Sequence, residues 1–391
     1  MKKQLFYLML ACMFTACTKL DLTPTNKYAQ NIIWENITNV DSYVRSLYST
    51  SFSLYAEIKT SGSNTSDGYT DIIKYTLTGA DANSHNRIQS GATKIAPNNM
   101  GSYLSPWSST YTYIKNCNEF LINVKKYGGA LDTAQLKIRI AEVRFIRAFL
   151  YHKLAIRHGG VVLRISEDQL DGPPEKNKAR STTSQTWDFV ISELERAAKD
   201  LPVTWNSSNL GRITKGAAYG MIARSALYAG RWDKAISAVG SVEAIAASGV
   251  YNFASLADLF TAPKANNSEL MIYYNYAKPD YVQDWDSQIM PGGDAPGSGA
   301  NITPTNELVD LYDIKVNGVW QKFDWNNLAL YNNKPYENRD PRFYATVLYN
   351  GEAWKGRNIE SFVGGKDGFE PFISGQTDKY TSTGYYTRKF G

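Results

Sequence analysis

Leu227-Tyr228-Ala229-Gly230-Arg231-Trp232-Asp233-Lys234-Ala235 is the stretch that decides the fold. Small and apolar residues run up to Gly230, which can turn a chain without steric cost, and a second helical segment opens at Asp233. Ala223 before the turn and Ala235 after it are small where two antiparallel helices would cross, and Val239 follows Ala235 by one helical turn. This is the pattern of a tetratricopeptide hairpin, in which small side chains let the helices approach and a flexible residue makes the corner. A generic helical hairpin with a glycine cap carries the same local signature. One hairpin cannot bury its own apolar face, so the chain must supply others to stack on it.

The flanking sequence offers them. From Gln135 to Arg157, Leu136, Ile140, Val143, Ile146, Leu150 and Leu154 keep a helical period, and Ala141, Ala148 and Ala155 form a second line of small residues. Lys137, Arg139, Glu142, Arg144 and Lys153 dress much of the remaining surface, and Gly159-Gly160 ends the segment. Thr182 and Gln185 have capping-box spacing; Trp187, Val190, Ile191 and Leu194 then share one face, and Pro202 stops it. Helical pattern also covers 34–59 and 107–127, with Cys117 read as a small buried residue. Residues 60–106 are rich in Ser, Gly, Asn, Thr and Asp and far exceed an ordinary connection. Beyond about residue 260, Gly, Asn, Pro, Trp and Tyr dominate, with Leu270–Tyr274 and Ala345–Tyr349 as short strand candidates. The expectation is a mostly α protein: a tetratricopeptide-like helical-hairpin scaffold over 32–260, with long loop-rich insertions, a few short strands, and a loop-rich ligand- or partner-facing part over 261–391.

Composition narrows the function. With 43% hydrophobic and 20% charged residues, the chain is neither wholly disordered nor a multi-span membrane protein. A formal charge of +5 with no Lys/Arg block gives nucleic-acid binding little support. Three cysteines exclude a disulfide framework, and three histidines leave little room for a multi-His metal site. There is no Gly-x-Ser-x-Gly, His-Glu-x-x-His, Walker-type loop or Cys-x-x-Cys; Gly297-Ser298-Gly299 lacks the third glycine of a dinucleotide fingerprint, with Ile302 in its place. Asp284 and Asp286 could flank a substrate as a glycosidase pair does, but acidic pairs in loops are usually solvated, so neither catalysis nor a cofactor or metal is expected. The aromatic content is the unusual feature: 27 Tyr and 9 Trp, side chains that join a flat apolar face to a polar edge. At the start, Met1-Lys2-Lys3 and the apolar run Leu5–Met13 have the form of an export signal, too short for the ~20 residues of a membrane span. Phe14-Thr15-Ala16-Cys17 resembles a bacterial lipobox, so residues 1–16 are read as signal peptide and Cys17 as the site of lipid attachment; an ordinary signal with an incidental cysteine is the alternative.

Several collinear stretches then resemble one family, the SusD/RagB nutrient-binding outer-membrane lipoproteins of Bacteroidetes. They are Ala141-Glu142-Val143-Arg144-Phe145-Ile146-Arg147-Ala148 with His158-Gly159-Gly160-Val161, the segment Trp187 to Pro202, Gly211-Arg212-Ile213-Thr214-Lys215-Gly216-Ala217-Ala218, Asn267-Ser268-Glu269-Leu270, Pro304 to Asp310, Asn338-Arg339-Asp340-Pro341-Arg342, and Thr383-Gly384-Tyr385-Tyr386-Thr387-Arg388-Lys389-Phe390. The resemblance implies a surface lipoprotein that captures a glycan or other nutrient and delivers it to a SusC-like TonB-dependent transporter. His158 stands where the family usually has Tyr. Members normally continue past the last motif into a final helical repeat, which this chain is expected to lack.

An aromatic-rich loop protein without catalytic residues reads as a binder, because a sugar's C–H face packs on a flat ring while amides and carboxylates take its hydroxyls. Tyr281, Asp284 and Trp285 combine both ingredients and are the first candidates for ligand contact, with burial of Trp285 as a loop anchor the competing reading. Asn64 and Asp67, in a stretch that resembles the family's, and Arg87 are the candidates from the first long loop. Trp107 is expected in the core, and Trp320 and Trp325 as pins for the late loops. The rival function is a repeat scaffold that binds a peptide or protein; a third, an anchored glycan-degrading enzyme, would need the acid pair.

Overall fold

The computed structural model describes residues 33–55, 66–75, 106–165, 178–261, 267–274, 276, 282, 285–294, 302–368 and 381–389. The scaffold is built from α1 (Ile37–Ser53), α2 (Trp107–Tyr127), α3 (Thr133–His158), α4 (Thr183–Asp200), α5 (Lys215–Tyr228) and α6 (Trp232–Ala246). Side-chain caps set four of these starts: Asn36, Asp132, Thr182 and Thr214 each accept the N–H of the residue three further on. At α4 the box is reciprocal, with Gln185 accepting the Thr182 N–H. Helix α3 lies at the centre, packed on α1, α2 and α4; α4 packs on α5, and α5 on α6. Ala141, Ala148 and Ala155 are buried, as their spacing on α3 predicts.

The deciding hairpin forms as read. Gly230 turns at φ +68°, and Ala223 and Ala235 are buried. The entry to α5 explains its small residues: a Cβ on Gly216 would come within 2.4 Å of the Tyr251 ring, whose hydroxyl bonds Thr214. Gly160 likewise admits no side chain, since a Cβ would meet the Ser181 carbonyl at 2.1 Å. The outer side of the hairpin keeps Leu227, Tyr228, Trp232, Ile236 and Val239 exposed.

Two expectations on the scaffold need correction. Arg139 and Glu142, placed on the polar surface of α3 by the sequence, are buried. Helices pack around α3 from several sides, so its polar stripe is enclosed and must be paired. Arg139 bonds Glu142 at 2.8 Å and Asp41 of α1 at 2.7 Å, and Arg212 reaches Asp41 at 2.6 Å. One helical turn on, Arg147 and Glu193 of α4, each 1% exposed, pair with one another; Arg144 joins Glu193 at 2.8 Å and Asn118 of α2 accepts from Arg147 at 2.8 Å. Second, Leu270–Tyr274 is not a strand. Met271 and Ile272 pack against the helical core, with the Met271 Cε 3.1 Å from where a Gly220 Cβ would stand, so side-chain burial takes the place of backbone pairing.

The readings of Cys117 and Trp107 hold. Cys117 is fully buried in α2, and Trp107 packs on Tyr111 and edge-on to His158, with centroids at 5.0 and 4.9 Å. His158 is therefore a packed imidazole at the end of α3.

The later chain carries α7 (Leu256–Thr261), α8 (Trp285–Ile289), α9 (Asn306–Leu311) and α10 (Pro341–Thr346) among short antiparallel pairs. β1 (Ile73–Tyr75) pairs with β2 (Ile302–Pro304), with Lys74 opposite Thr303. β3 (Ile314–Val316) pairs with β4 (Val319–Gln321), β6 (Ala353–Trp354) with β7 (Arg357–Asn358), and β5 (Val347–Leu348) with β8 (Tyr386–Thr387). Thus only Val347–Leu348 of the expected Ala345–Tyr349 strand forms; α10 runs through Thr346. The Asn338-Arg339-Asp340-Pro341-Arg342 motif is structural. Asp340 caps α10 with Pro341 in its first turn, and the buried Arg339 guanidinium lies 3.9 Å from the Phe323 centroid while donating to the Pro335, Val309 and Tyr312 carbonyls. Among the described residues no helix is long and apolar enough to cross a membrane.

Candidate functional site

Two sequence-predicted residues, Asp67 and Trp285, meet at a third segment. Asp67 sits exposed in the 3-10 turn Ser66–Tyr69, just before β1. Trp285 opens α8, and its indole N–H donates to the Lys389 carbonyl at 3.3 Å. The Lys389 ammonium lies 3.9 Å from the Phe260 ring centroid on α7. Burial pulls this ammonium below the ordinary lysine range, and the Asp67 carboxylate works against that shift. An acid, an amine, an aromatic ring and the indole of Trp285, from four distant stretches, therefore share one locality.

The β1–β2 pair holds the arrangement together. Tyr75, Trp285, Ile289 and Ile302 form one buried apolar cluster, with Ile73 packed against it. The Thr303 hydroxyl donates to the Lys74 carbonyl at 3.2 Å, and Thr387 of β8 donates to the Ile302 carbonyl at 3.1 Å. The last strand is fixed in turn by Tyr386, whose hydroxyl donates to the Asp367 carbonyl at 2.7 Å and accepts N–H groups from Gly292 and Thr381. Asp367 itself receives two hydrogen bonds from Arg357, at 2.6 and 2.7 Å. Burial alone would raise the Asp367 carboxyl, but Arg357 and the Glu360 and Gly293 N–H groups outweigh it and hold it below the usual carboxylate range.

Trp285, the first candidate for stacking on a ligand, is only 6% exposed. Its ring anchors α8 against Tyr75 and Ile302, which leaves little of its face for a sugar. Trp325 is a pin, as expected: its indole donates to Asp310 at 2.7 Å and its ring sits edge-on to Phe323. Trp320 departs from expectation. It stands 47% exposed on the β3–β4 hairpin with the Lys315 ammonium 5.5 Å from its centroid, because a two-strand ribbon has no second layer to cover it. Cys17, Asn64, Arg87, Tyr281 and Asp284 lie outside the described residues. Lys389 and Phe260 were not legible as site residues. The only hint was the aromatic and basic alternation of Tyr385-Tyr386-Thr387-Arg388-Lys389. Among the described residues no group of His, Cys, Asp and Glu could hold a metal ion.

Chemically, the locality offers charged hydrogen-bond partners of both signs beside an aromatic ring on a rigid base. A polyhydroxylated ligand can use all three, its hydroxyls donating to the carboxylate and accepting from the ammonium.

Comparison with known proteins agrees with this architecture. A family profile described as starch-binding, associating with the outer membrane, matches residues 20–227, and one described as the SusD family matches residues 262–391. No functionally curated protein is significantly similar to the chain. Among solved structures, a SusD-like carbohydrate-binding protein from Bacteroides fragilis superposes with a TM-score of 0.73 at 21% identity, covering 91% of this chain and 68% of that one. A second SusD-like protein from Bacteroides fragilis gives 0.68 at 21%, covering 92% and 69%. A laminarin-binding SusD-like protein gives 0.64 at 19%, covering 91% and 72%. At these identities the structural likeness speaks to the fold.

Proposed function

The chain belongs to the SusD/RagB family, and on that premise we propose that it binds a glycan nutrient at the outer membrane and passes it to a SusC-like TonB-dependent transporter. In this reading Cys17 carries the lipid anchor and the protein faces outward from the cell. It captures its ligand without transforming it. The observation that carries the binding role is the convergence of Asp67, Lys389 and Phe260 over the Trp285 anchor. Asp67 and Lys389 take hydroxyls, Phe260 supplies the apolar face, and Trp285 fixes the backbone that presents Lys389. Tyr281, Asp284, Asn64 and Arg87, the other candidates from the sequence, are proposed to complete the ligand set.

Calorimetric titration with neutral soluble glucans, laminarin and amylose fragments among them, tests the reading. Asp67→Ala is expected to weaken binding by about 1.5–3 kcal/mol, the worth of a hydrogen bond to a charged group. Binding unchanged by Asp67→Ala, or absent across the panel, refutes it. Release of reducing sugar from any bound glycan refutes the non-catalytic part. A scaffold that takes a peptide or protein is the second reading, favoured by the exposed Leu227, Tyr228, Trp232, Ile236 and Val239 on the α5–α6 hairpin. Under that reading the glucan panel stays silent, and substitution of Trp232 rather than Asp67 abolishes association with the partner.

A further inference from the structure

Away from the loop face, α1, α3 and the segments 210–213 and 272–274 enclose a cavity of about 550 Å³. That size falls within the ~300–1,000 Å³ of small-molecule sites. Its walls are aromatic: Tyr48 and Phe52 from α1, Tyr55 just beyond it, Phe149 from α3, and Tyr273 and Tyr274. The rings adjoin one another, with centroids 5.8 Å apart for Tyr48 and Phe52, 4.8 Å for Phe52 and Phe149, and 5.9 Å for Tyr55 and Phe149.

The charges around it are unbalanced. Arg45 and Arg212 line the cavity, and among the described residues no carboxylate does. The two carboxylates behind them, Asp41 and Glu142, are shared among three guanidinium groups. Asp41 meets Arg45 at 2.8 Å, Arg139 at 2.7 Å and Arg212 at 2.6 Å, while Glu142 meets Arg139 at 2.8 Å. Among these groups one positive charge is left in excess with both carboxylates ionised. Arg212 is 8% exposed and its Nη1 is buried without a hydrogen-bond partner. Arg157 lies 5.2 Å from the Tyr55 centroid. The wall hydroxyls near this charge are committed: Tyr48 donates to Glu142 and accepts from the Ile213 N–H, and Tyr55 pairs with Thr110. Among the described residues, what the cavity offers an incoming group is therefore ring faces and an excess of positive charge.

That combination suits a saturated ring with an apolar C–H face that also bears a carboxylate. An inorganic anion would leave the aromatic wall unused, and a neutral sugar would leave the guanidinium charge unanswered. We propose that this cavity is a second ligand site, distinct from the Asp67–Lys389 locality, and that it takes a hexuronic-acid unit of an acidic glycan. The pyranose C–H face packs on the Tyr48, Phe52 and Phe149 rings, and the carboxylate turns toward Arg45 and Arg212. The proposal extends the glycan-binding reading to a second place on the molecule.

Titration of the purified protein with digalacturonate, galactobiose and benzoate tests it. Digalacturonate is expected to bind at least about tenfold tighter than its neutral counterpart, galactobiose, and than benzoate, and to lose affinity with added salt. Ser49→Trp, at an exposed helical position on the cavity wall, is expected to remove about tenfold or more of that affinity by filling the space. Arg45→Gln, whose side chain is 57% exposed, is expected to weaken digalacturonate about three- to tenfold and to flatten the salt dependence. Asp67→Ala leaves digalacturonate binding unchanged, which separates this site from the one under the proposed function. No binding of digalacturonate, equal binding of galactobiose or benzoate, or indifference to Ser49→Trp overturns the proposal, whatever neutral glucans do elsewhere on the protein.

Discussion

Removing the Glu193 carboxylate is predicted to destabilise the helical scaffold more than deleting most apolar side chains would. Glu193 and Arg147 are each 1% exposed, so neither charge has water to fall back on. Glu193 also accepts from Arg144 at 2.8 Å and lies 3.3 Å from Arg196. In Glu193→Leu, the Arg144 and Arg196 side chains, 17% and 59% exposed, can reach solvent. Arg147 keeps its hydrogen bond to Asn118 and its place over Phe189, but its carboxylate partner is gone. Breaking a buried pair from one side costs roughly 3–5 kcal/mol. At about 2 °C per kcal/mol for a chain of this size, Tm falls by roughly 6–10 °C. Replacing both partners removes the stranded charge, so Glu193→Leu with Arg147→Met is expected to recover to within about 1 kcal/mol of the parent. Thermal unfolding followed by far-UV circular dichroism, with matched urea titrations, gives all four corners of the cycle. A single-variant loss under about 2 °C, or a double variant no better than Glu193→Leu, refutes the reasoning.

Acid stability is predicted to depend on Asp367. Its carboxyl is depressed in the folded state, so it contributes stability above its unfolded value of about 4, and that contribution is lost as pH falls through the lower folded value. Urea midpoints between pH 2 and pH 7 are expected to show a shallower acid limb in Asp367→Asn than in the parent, and parallel limbs count against it. Cys117 is predicted to be inert in the native protein, because burial pushes its thiol up to about 12, with Arg147 offsetting part of the shift. With Cys12 and Cys17 replaced by Ser, a thiol reagent at pH 8 is expected to label the chain only after denaturant is added; labelling of the folded protein contradicts the burial.

The helices were legible because their signals are local. The Thr182/Gln185 box, the Gly159-Gly160 stop and the alanine line of α3 each involve residues within a few turns, and each fixed an element end or a packed face. The buried ion pairs were not legible, because Arg147 and Glu193 sit on different helices and each reads alone as an ordinary polar position. Leu270–Tyr274 misled for a related reason. An apolar run five residues long records that something covers it, and here the cover is a helix, not a neighbouring strand. Of the site, Asp67 was picked out by a stretch that resembles the family's and Trp285 by residue type. Residue type cannot tell a ring that a ligand will cover from one that the protein already covers, and Trp285 proved to be the second kind. Asp67, just before β1, and Lys389, just after β8, owe their places to strand pairing across the chain, which no short window of sequence contains.

That pairing has a consequence for the order of events during synthesis. Helices α1 to α6 and their contacts are complete once Ala246 has left the ribosome. Ile73–Tyr75, in contrast, must wait for Ile302–Pro304, and the Trp285 bond waits longer still, for Lys389. The scaffold can therefore be finished while the neighbourhood of Asp67 is still an open strand edge. For a nascent chain bound for export, that edge is the stretch a chaperone has most reason to shield.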